Sequence, residues 1–280
     1  MIGQAWSIPV LLFLLLVQTG CANVALTGRR QVALLPESQV LGMSFQAYDK
    51  MLKESEQETG TRDAAMVQRV GQRIQQAVER YFGEQGQREV LKNFRWEYRL
   101  VKNPAKNAAC YPGGKVVVNT GLLPVSRTEA GLAAVLGHEI AHAVANHGNE
   151  RMSQEMLARM GGSLLSQAIG GMNPRQVELV RAAYGLGTQY AALLPYSRLH
   201  ESEADRLGTI FMAMAGYDPR EAVGLWERMA RGEKGGGGME FLSTHPLPAT
   251  RIRDLQNSMP EAMAYYQRYH PGGRGGEWRQ

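Results

Sequence analysis

The amino-acid sequence predicts an α+β fold that is predominantly helical, with a small β-sheet beside one central helix. Alternating, aromatic-rich residues over 94–101 and a run of valines over 115–119 predict two strands. Apolar residues at helical spacing predict the helices, which cover residues 36–81 with a break at Gly60, 128–148, 201–216, 217–231 and the region after 248. A chain of 280 residues is long enough to bury one sizeable core.

The N-terminal residues predict an exported and anchored protein. The apolar run Ile8–Val17 has the length of a signal-peptide core and is too short to span a bilayer. It leads into the sequence QTGC at residues 18–21, which resembles the lipobox of bacterial lipoproteins. Residues 1–20 are therefore predicted to be a lipoprotein-type signal peptide, with Cys21 as the lipidated residue. A plain signal peptide followed by an incidental cysteine is the alternative.

Composition predicts three segments in the rest of the chain. Residues 21–35 are predicted to be a tether, residues 36–270 a single domain, and the Gly- and Arg-rich residues 271–280 a disordered tail. By analogy with other lipoproteins, Ala22 favours the outer membrane of a Gram-negative bacterium. The predicted location is therefore the periplasm, with the membrane reached through a lipid on Cys21.

Charge and cysteine content limit the possible functions. The net charge is +5, but the basic residues are scattered among acidic ones and form no stripe with aromatics. We therefore expect no nucleic-acid binding. The two cysteines, Cys21 and Cys110, imply no disulfide framework. Cys110 has no activating group nearby in sequence, so it is predicted to be a small packed residue and not a nucleophile.

The central helix carries the pattern H-E-x-x-H at His138, Glu139 and His142. Histidines at positions i and i+4 lie on the same helical face, so both imidazoles can reach one metal ion. The carboxylate between them can meet a reacting water. Ser126 as N-cap and Glu129 form a predicted capping box at the start of this helix, and Gly148 is predicted to end it.

The acidic start of a second helix offers further possible ligands. Glu201 and Asp205 share one face of the helix that begins at residue 201, and Glu203 lies between them. Two histidines and one glutamate form a known set for catalytic zinc, with one position left open. Asp205 suits the role of a carboxylate that orients a ligating imidazole. A solvated acidic helix start is the plainer interpretation of the same residues.

Other zinc schemes are excluded by spacing and composition. The longer pattern of metzincins requires a third histidine where this chain has Gly148. A structural zinc site usually needs four Cys or His ligands, and the cysteines are lacking. His147 is predicted to be a residue at the helix C-terminus that favours the helix dipole when charged. His200 and His270 are predicted to be surface or structural residues.

The order of the motifs PGG…TGLL, HEIAH, PYSR…ESEAD…AGYDP and STHPLPATRI resembles the HtpX/Ste-type zinc metallopeptidases, which include the CAAX prenyl proteases. The likeness covers roughly residues 36–260 and is greatest to short bacterial envelope lipoproteins of the BepA and LoiP kind. It implies a zincin-like fold and one Zn²⁺ per chain. It also selects Glu201 over Glu203 as the third ligand, and it places His245 near the zinc.

This resemblance implies a zinc endopeptidase that hydrolyses unfolded or misassembled envelope proteins. Glu139 is then the general base and His245 is a residue that stabilises the oxyanion or takes the open ligand position. The alternative is a chaperone or assembly factor whose zinc site is latent because His245 gates it. The Gly-rich stretch 232–238 suits such a movable gate.

Overall fold

The computed structural model of the protein describes residues 21–189, 193–234, 245 and 249–271. The predicted signal peptide, most of the predicted Gly-rich gate and all but the first residue of the predicted tail lie outside the described residues. The chain divides into two compact units. The first unit holds the residues up to Val40 together with Asn146–Ser197, and the second holds Leu41–Ala145 and the residues from Arg198 onward.

The first unit contains a short hairpin and two helices. Its strands are β1 (Cys21–Asn23) and β2 (Arg30–Val32), which pair antiparallel, and its helices are α5 (His147–Ala168) and α6 (Pro174–Thr188). The Arg29 guanidinium donates two hydrogen bonds, of 2.9 and 2.7 Å, to the fully buried Glu150 carboxylate of α5. The prediction of a tether over residues 21–35 therefore missed a hairpin, which a bidentate ion pair holds to α5.

The second unit is built on a four-stranded mixed sheet of strand order β3-β4-β6-β5. Its strands are β3 (Gln57–Glu58), β4 (Glu97–Val101), β5 (Ala108–Tyr111) and β6 (Lys115–Asn119). The two predicted strands, β4 and β6, pair parallel in the centre, while β3 and β5 flank them antiparallel. Strand β5 was not predicted from the sequence, and it places Cys110 in an edge strand.

Helices surround this sheet. Those that lie wholly or mostly in the second unit are α1 (Glu37–Glu54), α2 (Arg62–Glu84), α3 (Leu123–Ser126), α4 (Glu129–Val144), α7 (Leu194–Met214), α8 (Glu221–Lys234) and α9 (Ala249–Tyr269). The central helix α4 packs on α2, β5 and α8, and nearly all of its residues are buried. This arrangement confirms the predicted, predominantly helical α+β class. No helix within the described ranges is apolar over a stretch long enough to cross a bilayer.

The predicted ends of α4 were wrong at both termini. Thr128, and not Ser126, is the N-cap, since its hydroxyl accepts a 3.0 Å bond from the Gly131 amide. Ser126 instead ends α3, and Glu129 accepts hydrogen bonds from Arg69 of α2 and from Tyr217, which follows α7. At the other end α4 stops at Val144, because Asn146 adopts the left-handed conformation with φ of 59°. Asparagine tolerates that conformation better than most residues, so the chain turns before Gly148.

Helices α4 and α7 approach each other at a pair of glycines. A Cβ atom added to Gly137 would lie 2.7 Å from the Gly208 carbonyl oxygen, and one added to Gly208 would lie 2.7 Å from the His138 amide nitrogen. Real side chains do not tolerate such distances, so only glycines permit backbone contact here. The crossing lies directly beside His138 and one turn beyond Asp205, which brings the residues of both helices into one cluster.

We predict that Gly208→Ala lowers the free energy of unfolding by about 1–3 kcal/mol, because the added methyl group collides with the α4 backbone. Urea denaturation of the purified protein measures the change. The matched control is Gly42→Ala in α1, where an added Cβ meets nothing within 4 Å. There alanine should be neutral or stabilise by up to ~1 kcal/mol. Equal stability of Gly208→Ala and wild type would contradict the close crossing.

Candidate metal centre

Two helices bring the predicted ligands together. His138 and His142 stand one turn apart in α4, and their Nε2 atoms are 3.1 Å from each other. Glu201 reaches them from α7, with Oε2 3.2 Å from His138 Nε2 and Oε1 3.3 Å from His142 Nε2. Three potential ligand side chains therefore converge on one point from two separate segments of the chain.

His245 completes a cluster of four. Its Nδ1 atom lies 3.3 Å from His138 Nε2 and 3.0 Å from Glu201 Oε1. The ligand atoms of His138, His142, Glu201 and His245 all lie within 4.8 Å of one another. The predicted ligands and His245 are thus collected in one place, where His138 and Glu201 are buried and the other two are partly exposed.

The chemistry of this donor set fits a zinc ion. Zinc takes imidazole nitrogen and carboxylate oxygen in a tetrahedral arrangement at ~2.0–2.2 Å, which separates neighbouring donors by about 3.4 Å. The distances of 3.1 to 3.3 Å between the His138, His142 and Glu201 donors are close to that spacing. Buried imidazoles also seldom face one another without a cation between them, so the residues present suit the metal that the sequence predicts.

Asp205 lies behind His138, on the side away from the cluster. Its Oδ1 atom is 2.9 Å from His138 Nδ1, so the imidazole can donate there and present Nε2 to an ion. Burial lowers the pKa of His138, but the bonds to Asp205 and Glu201 outweigh it and raise this pKa to about 9. The predicted role of Asp205, to orient an imidazole, agrees with this placement and stays a prediction.

The carboxylates of Glu201 and Asp205 are strongly stabilised in the charged form. Burial alone would raise both pKa values. Hydrogen bonds from His138, His142 and His245 hold the pKa of Glu201 well below its usual range. The Arg251 charge and its hydrogen bond likewise lower the pKa of Asp205. Both groups are therefore ionised at neutral pH, as an outer carboxylate and a metal ligand must be.

Glu139 has the opposite environment. Its side chain is 6% exposed, and burial raises its pKa, although the charges of His245 and His138 oppose the rise. Its Oε1 atom has no hydrogen-bond partner among the described residues, and His245 Nε2 lies 3.4 Å from it. A buried carboxylate oxygen with a raised pKa and no partner is a suitable proton acceptor.

Two residues that the sequence analysis missed support the cluster. The Arg251 guanidinium, at the start of α9, bonds to Asp205 Oδ2 at 2.6 Å and Glu201 Oε2 at 2.9 Å. It also lies over the ring of Trp226 in α8, 4.0 Å from the centroid. The signals were weak, since Arg251 is one of several arginines in an amphipathic helix. Arg251 lies within the motif STHPLPATRI, six residues after His245, but nothing in that motif assigns it a role.

The remaining predicted residues lie elsewhere. Burial raises the pKa of the Cys110 thiol well above its usual value, which agrees with a residue that is not a nucleophile. Of Cys21 the structure describes the backbone, which pairs with Val32, and its lipidation stays a prediction.

The prediction for His147 was wrong. His147 is not at the C-terminus of α4 but is the buried first residue of α5, because helix α4 ends before Asn146. His200 was predicted to be a surface or structural residue, and its exposure of 6% fits the structural alternative. His270 is partly exposed, and its Nε2 atom lies 3.4 Å from the Met214 carbonyl oxygen.

Comparison with known proteins agrees with this cluster. The family model "Peptidase family M48" matches residues 68–259. The mitochondrial metalloendopeptidase OMA1 of Schizosaccharomyces pombe is 38% identical over 174 residues, which are 61% of this chain and 49% of that protein. Mitochondrial OMA1 of Homo sapiens is 29% identical over 258 residues, 90% of this chain and 48% of that protein. The β-barrel assembly-enhancing protease of Escherichia coli is 28% identical over 170 residues, 58% of this chain and 34% of that protein.

These relatives correct one prediction. A lipid-anchored location in the periplasm, at the outer membrane of a Gram-negative bacterium, was predicted, but the relatives of higher identity or coverage are mitochondrial proteins of fungi, plants and animals. The location prediction is therefore wrong. It depended on the lipobox likeness of residues 18–21, a four-residue pattern that carries far less information than the likeness across the folded domain.

The chain spans about half the length of the curated relatives that it matches, or less. The matched region nevertheless includes His138, Glu139, His142, Glu201 and His245, and it covers more than half of the chain. Because the family model extends over both helices that build the cluster, the chain belongs to peptidase family M48.

Proposed function

We propose that this protein is a zinc-dependent endopeptidase whose ion is held by His138, His142 and Glu201. The observation that carries the proposal is the meeting of these three side chains, from two helices, beside the buried carboxylate of Glu139. Membership of peptidase family M48 supports the assignment to metallopeptidases. When bound, the zinc supplies a Lewis acid that polarises the scissile carbonyl and makes the attacking water more acidic.

Glu139 and Asp205 have separate roles in the proposed proton chemistry. Glu139 accepts the proton of the attacking water at Oε1, the atom without a hydrogen-bond partner among the described residues, and delivers it to the leaving amine. Its pKa, raised by burial, makes it a stronger base than an exposed carboxylate. Asp205 keeps the proton of His138 on Nδ1, so that Nε2 remains available to the ion.

The edge strand β5 is suited to hold an extended polypeptide. It forms the end of the sheet, pairs only with β6 among the described strands, and packs against α4. The Cys110 backbone amide also lies close enough to Glu139 to favour its charged form. A substrate segment added to this edge would therefore pass beside the base. The sequence left open whether strand 115–119 contacts the substrate, and that strand is β6, which is internal.

We infer that the substrates are unfolded or misassembled polypeptides. An edge strand recognises main-chain hydrogen-bonding groups, and these are free only where a substrate is extended and unpaired. A folded protein presents few such segments.

We predict that Glu139→Gln reduces cleavage of an unfolded protein by at least about 1,000-fold while zinc stays bound, because the base is lost but no ligand changes. Gel-based cleavage assays and metal analysis measure the two effects. Glu129→Gln is the matched control on the same helix, since Glu129 bonds to Arg69 and Tyr217 away from the cluster. Cleavage at the wild-type rate by Glu139→Gln would refute the assignment of the base.

We predict that Glu201→Gln weakens zinc binding by more than about 100-fold, because a neutral amide replaces a charged ligand. Competition with a chromophoric chelator measures the affinity. Glu203→Gln is the matched control, two residues away on α7, and should keep wild-type affinity. If Glu203→Gln lost zinc and Glu201→Gln kept it, the choice of third ligand would be wrong.

The second candidate function is a chaperone or assembly factor with a latent metal site. The placement of His245 favours it, because Nδ1 lies among the ligand atoms where a fourth ligand would stand. An imidazole in that position blocks the place that a scissile carbonyl must take. The same residue then holds the site inactive until the segment around it moves.

The variant His245→Ala separates the two candidates. A latent site predicts that this variant cleaves about 10-fold faster than wild type, because the open position is freed. A role of His245 in stabilising the oxyanion predicts about 100-fold slower cleavage. The rate on an unfolded protein decides between them, and Glu139→Gln in a client-folding assay shows whether folding assistance needs hydrolysis.

A further inference from the structure

The buried guanidinium of Arg251 lies at the centre of the groups behind the metal cluster. Its side chain is 3% exposed, and it stacks on the ring of Trp226, which is 2% exposed. The same indole meets the His138 ring edge to face, with 5.3 Å between the centroids. Trp226 therefore contacts both the cation and one of the proposed ligands.

Arg251 bonds to two carboxylates that belong to different parts of the site. Nε and Nη2 donate to the two Asp205 oxygens at 2.6 and 2.9 Å, which is a bidentate pair. Nη1 lies 2.9 Å from Glu201 Oε2 and donates to the His245 carbonyl oxygen at 3.3 Å. The planar guanidinium of Arg251, with its fork of N–H donors, thus contacts the Glu201 carboxylate, the Asp205 carboxylate and the His245 backbone.

We propose that Arg251 is a positioning residue for the metal centre, with Trp226 as the platform that holds its guanidinium plane. The proposal rests on the proposed zinc site. The fork fixes the rotation of the Glu201 and Asp205 carboxylates, so that Glu201 and the Nε2 atom of His138 are directed at one ion. It also supplies a buried positive charge beside two carboxylates that would otherwise repel each other.

The variant Arg251→Met tests this role, because it keeps the apolar stem and removes the fork and the charge. We expect the zinc dissociation constant of the full chain to rise by about 10–100-fold, the range seen when groups behind metal ligands are removed. The absorption bands of the Co²⁺-loaded protein should shift as the ligand geometry changes. Cleavage of an unfolded protein should lose kcat with little change in KM.

The matched control is Arg206→Met. Arg206 forms a similar bidentate pair with Glu261, at 2.7 and 2.6 Å, and this pair joins the same two helices, α7 and α9. It is partly exposed and none of its bonds within the described chain reaches the cluster. Its loss should leave zinc affinity and the Co²⁺ spectrum within about twofold of wild type.

A second variant keeps the test decisive if Arg251→Met does not fold. Arg251→Lys retains the charge but not the fork, and we expect the zinc dissociation constant to rise by about 3–10-fold. Wild-type affinity and an unchanged Co²⁺ spectrum in a folded Arg251 variant would overturn the proposal. An equal loss in Arg206→Met would also overturn it, since general helix packing would then explain the effect. Failure of the wild-type chain to bind zinc would instead refute the proposed function.

Discussion

The close crossing of α4 and α7 is the constraint on which the rest of the structure depends. At Gly137 and Gly208 the two backbones are in contact, because neither position carries a Cβ atom. Helices with side chains at the contact lie 8–10 Å apart, which would hold the Glu201 backbone farther from the imidazoles. Backbone contact allows Glu201 to reach within 3.3 Å of both His138 and His142.

The second unit places three acidic groups close together and gives them different properties. Glu201 and Asp205 are surrounded by imidazoles and a guanidinium, which keep them ionised. Burial raises the pKa of Glu139, although the charges of His245 and His138 oppose the rise. Environment, and not residue type, therefore separates the proposed ligand from the proposed base, which is a common way for one site to use several carboxylates.

Local sequence patterns predicted those parts of the structure that depend on local physics. The H-E-x-x-H helix, the two helices on either side of Gly60 and the strands β4 and β6 follow from periodicity alone. The edge strand β5 could not be predicted, because Ala108–Tyr111 has no alternation and becomes a strand only by pairing with β6.

Long-range contacts explain the other failures. The predicted start of α4 was wrong because Ser126 belongs to α3, a short helix that was not predicted. The predicted end was wrong because the left-handed conformation of Asn146 ends the helix before Gly148. Trp226 of α8 contacts Arg251 of α9, and no spacing in the sequence predicts this contact. The proposed ligands were easier to find, since a metal needs particular residue types at fixed intervals.

The Arg251 fork also has a consequence for biosynthesis. The chain supplies the two histidines of α4 early, but the carboxylate of Glu201 and the guanidinium of Arg251 follow only after the intervening residues have been translated. On a ribosome, the proposed metal centre therefore lacks its positioning residue until residue 251 has left the exit tunnel.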